Sequence, residues 1–316
     1  MTPRISVIIP TLDRPDELRR CLESLARQSL RPHEYEVIVV DDGGLRPLDD
    51  VVASFRQRLE IVLYRQQRSG PGAARNAGAQ YARGRWLAFT DDDCRADRDW
   101  LKASIGWLER HDNAIVGGRI RNALVGNVYS ATSQLLVSYL YEYFNADPLN
   151  AAFFTSNNIA VSAERFRRWG GFAFRYPVIN AEDRELCSRW RSLGGRLVYA
   201  PDAVVHHSHQ MTFSRFVRQH FHYGRGAYAY HRVRAARRSG RFRVEPLAFY
   251  QRLAAMPFRT EIANPVQVFA LLCVAQAANA AGFLWEVVRR QRRGYDSDLV
   301  ALEWRAPASD YRRTGS

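Results

Sequence analysis

Lysine is almost absent: of 46 basic residues in a chain of 316, only Lys102 is not an arginine. So extreme a bias reflects genome composition more than a demand for guanidinium chemistry, and it carries little functional weight. Cysteine is scarce too. Cys21, Cys94, Cys187 and Cys273 stand far apart with no CxxC pair, which excludes a small disulfide framework and points to a reducing compartment. Low-complexity stretches are missing: 20 Gly and 13 Pro are spread along the chain and 47% of residues are hydrophobic, which excludes disorder and a collagen-like repeat. The apolar run Val7-Ile8-Ile9 ends at Pro10, too short for a signal peptide, so a cytoplasmic protein is expected.

What is present is ordinary globular material with a lopsided charge. Residues 203–316 hold 18 arginines against 7 acids and so carry most of the net +14. The length predicts one large α/β unit with an appendage, or two closely joined units.

Residues 1–90 alternate β-branched runs with segments of helical period, the pattern of βα units laying down a parallel sheet. Strands are predicted at residues 5–9, 37–40, 61–64 and 86–89. Leu18, Cys21, Leu22 and Leu25 recur at i, i+3, i+4, i+7 behind Pro15 and Asp16-Glu17, which predicts an amphipathic helix. Val51, Val52 and Phe55 predict a short second helix, and an alanine-rich third one follows Gly70-Pro71-Gly72 and ends near Gly84. In such a sheet ligands bind beyond the carboxyl ends of the strands, where helix N-termini point outward. Those ends carry Pro10-Thr11-Leu12-Asp13, Asp41-Asp42-Gly43-Gly44 and Thr90-Asp91-Asp92-Asp93.

Adjacent carboxylates repel one another and need a cation or hydrogen-bond donors close by. Alone, Asp91-Asp92-Asp93 reads as a solvated acidic turn. Ending an apolar strand, beside a second acidic turn at Asp41-Asp42, it reads as a site for hard Mg²⁺ or Mn²⁺, which binds carboxylate oxygens and keeps places for water and phosphate. The Gly70 turn is not a dinucleotide fingerprint, because the third glycine of GxGxxG falls at Arg75 and the turn follows the third strand. A nicotinamide enzyme is therefore disfavoured. The glycines instead let the Arg75-Asn76 helix start approach a charged ligand.

In order along the chain, Ser6-Val7-Ile8-Ile9-Pro10-Thr11, Val39-Val40-Asp41-Asp42-Gly43, Gly70-Pro71-Gly72-Ala73-Ala74-Arg75-Asn76 and Phe89-Thr90-Asp91-Asp92-Asp93 resemble the successive motifs of family 2 glycosyltransferases. The resemblance implies the GT-A fold, a Rossmann-like, mostly parallel α/β sheet with helices on both faces, here followed by a C-terminal helical extension. It implies a nucleotide-sugar donor, UDP-sugars foremost, a divalent Mn²⁺ or Mg²⁺, and inversion at the anomeric carbon. By that likeness Pro10, Thr11, Asp13, Asp42, Arg75, Asn76, Asp91 and Asp92 serve the donor, and Asp93, with Asp91, holds the metal. Asp13 stands where asparagine is usual. The expected layout is a nucleotide-sugar subdomain over 1–115, a catalytic and acceptor-binding subdomain over 116–210, and a basic helical extension over 211–316.

Past residue 115 the alternation fades. Thr155-Ser156-Asn157-Asn158 precedes a short strand at 159–161 and reads either as a turn or, by the resemblance, as a sugar contact through Asn157 and Asn158. Further on, Asn180 is the expected N-cap of a helix carrying Glu182, Asp183, Glu185 and Leu186. Acids there favour the positive end of the helix, and a helix start also presents a carboxylate in a fixed direction, as a general base requires. The segment resembles the family's ED motif, which makes Asp183 the base and places Glu182 at the acceptor. Two short strands, 197–199 and 203–205, are predicted either side of Pro201, the second delivering His206-His207-Ser208-His209. Imidazoles at a strand end suit a metal. The family spacing favours His207, with His206 second, and zinc is the weaker option because no cysteine lies near them in sequence.

The extension has nine arginines and no acid between Arg215 and Arg243, interleaved with Phe216, Phe221, Tyr223, Tyr228, Tyr230 and Phe242. Nucleic-acid binding, a solvated basic helix and a surface facing anionic lipid are the alternatives; lipid is preferred and nucleic acid disfavoured. Residues 262–285 carry no charge and are followed by Arg289, Arg290, Arg292 and Arg293. The run is long enough to span a bilayer, yet Gln267, Gln276, Asn279 and many alanines leave an interfacial or a packed soluble helix open. The expectation is an inverting, metal-dependent hexosyltransferase, peripheral on the cytoplasmic face of a membrane, with a glycan or lipid-linked acceptor. Its rivals are a nucleotidyltransferase on a similar sheet and a basic nucleic-acid-binding module.

Overall fold

The computed structural model describes residues 2–173, 180–237, 244–291 and 312–313. The predicted strands of the first half form as β1 (Ile5–Thr11), β2 (Tyr35–Asp41), β3 (Ile61–Arg65) and β4 (Trp86–Thr90), parallel to one another in the order β3-β2-β1-β4. Both β1 and β2 are buried along their whole length, as strands covered on both faces must be. Between them run α1 (Pro15–Leu25), α2 (Asp49–Ala53) and α3 (Pro71–Tyr81). The stripe Leu18, Cys21, Leu22 and Leu25 is the buried face of α1. Phe55 is buried just beyond α2 in a turn, so that helix is shorter than its apolar pattern.

The chain continues through β5 (Cys94–Ala96), α4 (Trp100–Arg110), β6 (Ala114–Asn122), α5 (Val128–Phe144), β7 (Asn158–Ser162), α6 (Ala163–Arg168), α7 (Glu182–Ser192) and β8 (Arg196–His207). With the two-residue β9 (Arg312–Arg313) these complete one mixed sheet, β5-β8-β6-β7-β4-β1-β2-β3-β9. Helices cover both of its faces. Antiparallel β7 joins the halves, pairing with β4 on one side and β6 on the other. The two strands expected around Pro201 are in fact a single one: the register of β8 on β6 jumps from Gly118↔Ala200 to Arg119↔Val204, so Pro201, which has no N–H to donate, sits in a bulge.

Among the described residues the extension forms three α-helices, α8 (Phe213–Ala236), α9 (Leu247–Ala255) and α10 (Pro265–Gln291). Packing between α8 and α10 is backbone to backbone at Gly224, where a Cβ would lie 1.8 Å from the Asn279 carbonyl oxygen. An ion pair, Arg225 Nε to Glu286 Oε1 at 2.7 Å, closes the same interface with Glu286 only 2% exposed. By length and composition Pro265–Arg289 is apolar enough to cross a membrane, with a mean hydropathy of 1.7 over its most apolar 18 residues. One face packs on α8 and α5; the other leaves Val266, Phe269, Cys273, Leu284, Trp285 and Val288 exposed. Of the basic and aromatic residues singled out in sequence, Arg238, Arg241, Phe242, Arg243, Arg292 and Arg293 lie outside the described residues.

Candidate active site

The carboxyl ends of β1, β2, β4, β6 and β8 and the start of β7 meet at one edge of the sheet, which opens onto a cavity of about 560 Å³. Pro10, Thr11, Asp42, Arg75 and Asp91 to Asp93 reach it from the first half of the chain, and Asn157, Glu182, Asp183 and His207 from the second.

The three aspartates have three different environments. Asp91 is turned toward Arg75, whose Nη2 lies 2.5 Å away. Arg75 is 3% exposed, and its Nε and Nη1 have no hydrogen-bond partner, so a buried cation is left with donors to spare beside the cavity. Asp92 accepts the Thr11 hydroxyl at 2.8 Å and Arg14 Nη1 at 3.0 Å; burial nevertheless pushes its carboxyl up to about 7. Burial also opposes the charge on Asp93, but close contact with His207, then Arg14 and His209, more than offsets it and holds this carboxyl below the usual range.

Strand alternation sorts the histidines. His206 faces Asp97, 2.9 Å away, whereas His207 Nε2 lies 3.2 Å from Asp93 Oδ1 and His209 Nδ1 3.7 Å from Asp93 Oδ2. Burial works against a charged His207, and Asp93 raises it all the same. The His207 contact is off-line for a hydrogen bond, so Asp93 Oδ1 is a buried oxygen without a donor. An oxygen of this kind, facing an imidazole, fits a divalent cation. Ligand atoms of Asp93, Cys94 and His207 all lie within 4.8 Å of one another. The thiol is near because β5 pairs Cys94 opposite His207, a proximity that spacing along the chain does not reveal. Burial raises the Cys94 thiol well above its ordinary value, which favours its neutral form in the free site. Asp91 is not part of this cluster.

On the opposite wall, α7 begins at Glu182 with Ala181, not Asn180, as its cap residue. Asn180 has φ 67°, a left-handed conformation that asparagine tolerates, and it lines the cavity. The helix start is seated against α8 at Gly226, where a Cβ would lie 2.6 Å from the Asn180 carbonyl oxygen. Asp183 is pushed up to about 7, first by burial and then by its neighbour Glu182, against the pull of the Arg184 backbone N–H at 2.7 Å and of Arg75. A carboxylate with this affinity for a proton is poised to take one near neutral pH.

Three residues assigned to ligands by resemblance hold other parts of the chain. Asp13, at φ 56°, accepts the backbone N–H groups of Leu45 and Arg46 at 2.6 and 2.8 Å, pinning the loop after β2. The amide of Asn76 is used twice on the backbone of Phe172, donating at 2.7 Å and accepting at 2.8 Å. Asn158 accepts Trp100 Nε1 at 2.8 Å and donates to Arg119 and Ala203 carbonyls, both at 2.9 Å, which ties β7 to its neighbours. None of the three lines the cavity. Conversely, Arg14, His209, Gln219 and Tyr223 do line it. His209 belongs to the histidine run already noted, and Gln219 and Tyr223 lie in the segments Arg218-Gln219-His220-Phe221 and Tyr223-Gly224-Arg225-Gly226, which loosely resemble the family; nothing in the sequence marks Arg14.

Residues 6–170, more than half of the chain, match the family described as Glycosyl transferase family 2. Glycosyltransferase AglE of Haloferax volcanii is 26% identical over 231 residues, 71% of this chain and 73% of that protein. The pre-mycofactocin glycosyltransferase of Mycobacterium tuberculosis is 31% identical over 230 residues, which span 71% of this chain and 46% of its own length. Among solved structures, the mannosyltransferase PcManGT of Pyrobaculum calidifontis, in complex with GDP-Man and Mn²⁺, superposes with a TM-score of 0.60 at 21% identity over 94% of this chain and 82% of its own. Residues 1–349 of TarS from S. aureus, in complex with UDP-GlcNAc, superpose with a TM-score of 0.52 at 17% identity over 93% of each chain. The sheet is that of the GT-A fold, and the protein belongs to glycosyl transferase family 2.

Proposed function

We propose that the protein transfers a hexosyl group, with inversion, from a nucleoside-diphosphate sugar to an acceptor hydroxyl, and that uridine nucleotides are the favoured donors. The observation that carries this is the convergence on one cavity of Asp91 to Asp93, His207 and Arg75 with a base, Asp183, on the opposite wall. The GDP-Man and UDP-GlcNAc complexes of the two structural neighbours support a donor of this class. Asp93 and His207 are the residues to hold Mn²⁺ or Mg²⁺, whose chemistry is to neutralise the diphosphate as negative charge builds on it. Arg75, between Asp91 and Glu182, whose Oε1 lies 4.0 Å from its Nη1, adds a fixed positive charge at the floor of the cavity.

Asp183 removes the proton of the acceptor hydroxyl. The new C–O bond forms on the face of the anomeric carbon away from the diphosphate, the old one breaks, and the nucleoside diphosphate leaves. With its carboxyl raised to about 7 by burial and Glu182, Asp183 binds a proton more tightly than an ordinary aspartate and still ionises near neutral pH. We place the protein on the cytoplasmic face of a membrane. Supporting this are the exposed apolar face of α10, the exposed Arg215 and Arg218 of α8, and the Arg225–Glu286 pair that ties α10 to a basic helix.

Release of nucleoside diphosphate from a panel of nucleotide sugars with Mn²⁺ tests the assignment and identifies the sugar. Release of pyrophosphate instead marks a nucleotidyl transfer and overturns it.

A further inference from the structure

A second cavity, of about 1320 Å³, lies between α5, α7, α8, α9 and α10. The donor chemistry does not use it. Both cavities are built on the same three helices, one turn apart. On α7 Asp183 lines the first and Arg184 the second; on α8 Tyr223 lines the first and Ala227 the second; on α5 Val137 lines the first and Leu140 the second. The larger cavity therefore adjoins the wall that carries the base.

Its walls divide by chemistry. Leu136, Leu140, Phe144, Phe249 and Phe283 make an apolar trough. Opposite, α7 contributes Arg184, Ser188 and Arg191 at i, i+4, i+7, a cationic stripe along one helical face. Neither arginine has an ion-pair partner among the described residues; Arg184 lies over the Phe153 ring, 5.3 Å from its centroid. The reverse face of α7 is locked by the buried Glu185, Leu186 and Trp190, with Glu185 gripped by Arg189 at 2.8 Å, so the direction of the stripe is fixed. Among the described residues of the wall the one acid, Glu245, is engaged by the Tyr143 hydroxyl at 3.1 Å. At the rim, Leu284 both lines the trough and is 60% exposed, which makes the trough continuous with the open apolar face of α10.

We infer that this trough is the acceptor site and that the acceptor is a phosphorylated amphiphile: a hydrocarbon chain between α5 and α10, its phosphate at Arg184 and Arg191, and beyond the phosphate the hydroxyl-bearing group that meets Asp183. The inference deepens the glycosyl-transfer assignment and rests on it. Charge selects the phosphate, since two unpaired guanidiniums beside an apolar wall favour an anion over a neutral headgroup. The rim at Leu284 gives the chain a lateral way in from a lipid surface.

The test is equilibrium binding of a fluorescent dodecyl phosphate to the full-length protein, against dodecyl maltoside and inorganic phosphate as competitors. Dodecyl phosphate is expected to bind at least tenfold more tightly than the uncharged detergent, with no competition from inorganic phosphate. Arg191→Glu, at an exposed position, is expected to weaken binding about tenfold, and Ala280→Trp, which fills the trough from α10, to abolish it, both variants melting like the wild type. Equal affinity for charged and uncharged probes, or wild-type binding by both variants, overturns the inference. Binding of UDP or GDP measured on the same protein separates the two claims: amphiphile binding without nucleotide binding removes the transfer reaction and leaves the trough.

Discussion

Asp183→Asn separates the two consequences of burying a base. Burial and Glu182 raise this carboxyl from its ordinary 3.8 to about 7. At about 1.4 kcal/mol per pKa unit, ionising Asp183 in the native protein costs up to about 4 kcal/mol relative to the unfolded chain. Access of cavity water lowers that ceiling. The sign follows from proton counting: between pH 4 and 7 the unfolded chain has lost the proton that the native protein keeps, so this group's contribution to stability falls across that window and is flat above it. Asparagine cannot ionise. The variant is therefore expected to be more stable than the wild type, by a few kcal/mol at pH 8 and by much less at pH 4, a difference of several degrees in Tm. Turnover should move the other way, falling by about 10² to 10⁴ as the general base is lost, while the wild-type rate rises with pH through about 7. Scanning calorimetry at both pH values and single-turnover release of nucleoside diphosphate measure the two effects. A variant that gains no stability at pH 8, or that keeps its turnover, would falsify the assignment of Asp183 as a buried base.

Asp93→Ala should abolish the Mn²⁺-dependent part of UDP or GDP binding in calorimetry and leave the metal-independent part; metal dependence that survives excludes Asp93 as a ligand. Gly226→Val forces a side chain into the Asn180 carbonyl and displaces the start of α7, so turnover should drop at least tenfold with the fold retained, and an unchanged rate refutes the seating. Cosedimentation with vesicles should be strong for anionic lipid, weak for neutral lipid and reduced by salt, at roughly 1 kcal/mol per arginine near the surface. Equal binding to both lipids removes the basic face from the account.

The periodicity of residues 1–90 made β1 to β4 and α1 to α3 legible because each is specified locally, by a run of β-branched residues or a stripe at helical spacing. The acidic strand ends were legible for a related reason: a parallel sheet sends all its carboxyl ends to one edge, so position along a strand already implies position in space; the ED segment, a helix start, was legible through its resemblance to the family's motif. Side-chain commitments were not legible. Asp13, Asn76 and Asn158 look like ligand residues in a string of letters, and only the neighbours that the fold supplies, Leu45 and Arg46, Phe172, Trp100 and two carbonyls, show that they tie segments of the chain together and lie outside the cavity lining.

What the sequence by itself determined was the order of the elements over residues 1–90, the chemistry gathered at the sheet edge and the family. Tertiary structure alone decided which histidines face Asp93, because that depends on the pairing of β5 with β8 across more than a hundred residues. It also decided that α7 rests on Gly226 of α8, and that α5, α7, α8, α9 and α10 enclose a trough behind the base. Local periodicity fixes what each helix buries, but the partner it is buried against is chosen by close packing of distant segments, and no spacing along the chain encodes that choice.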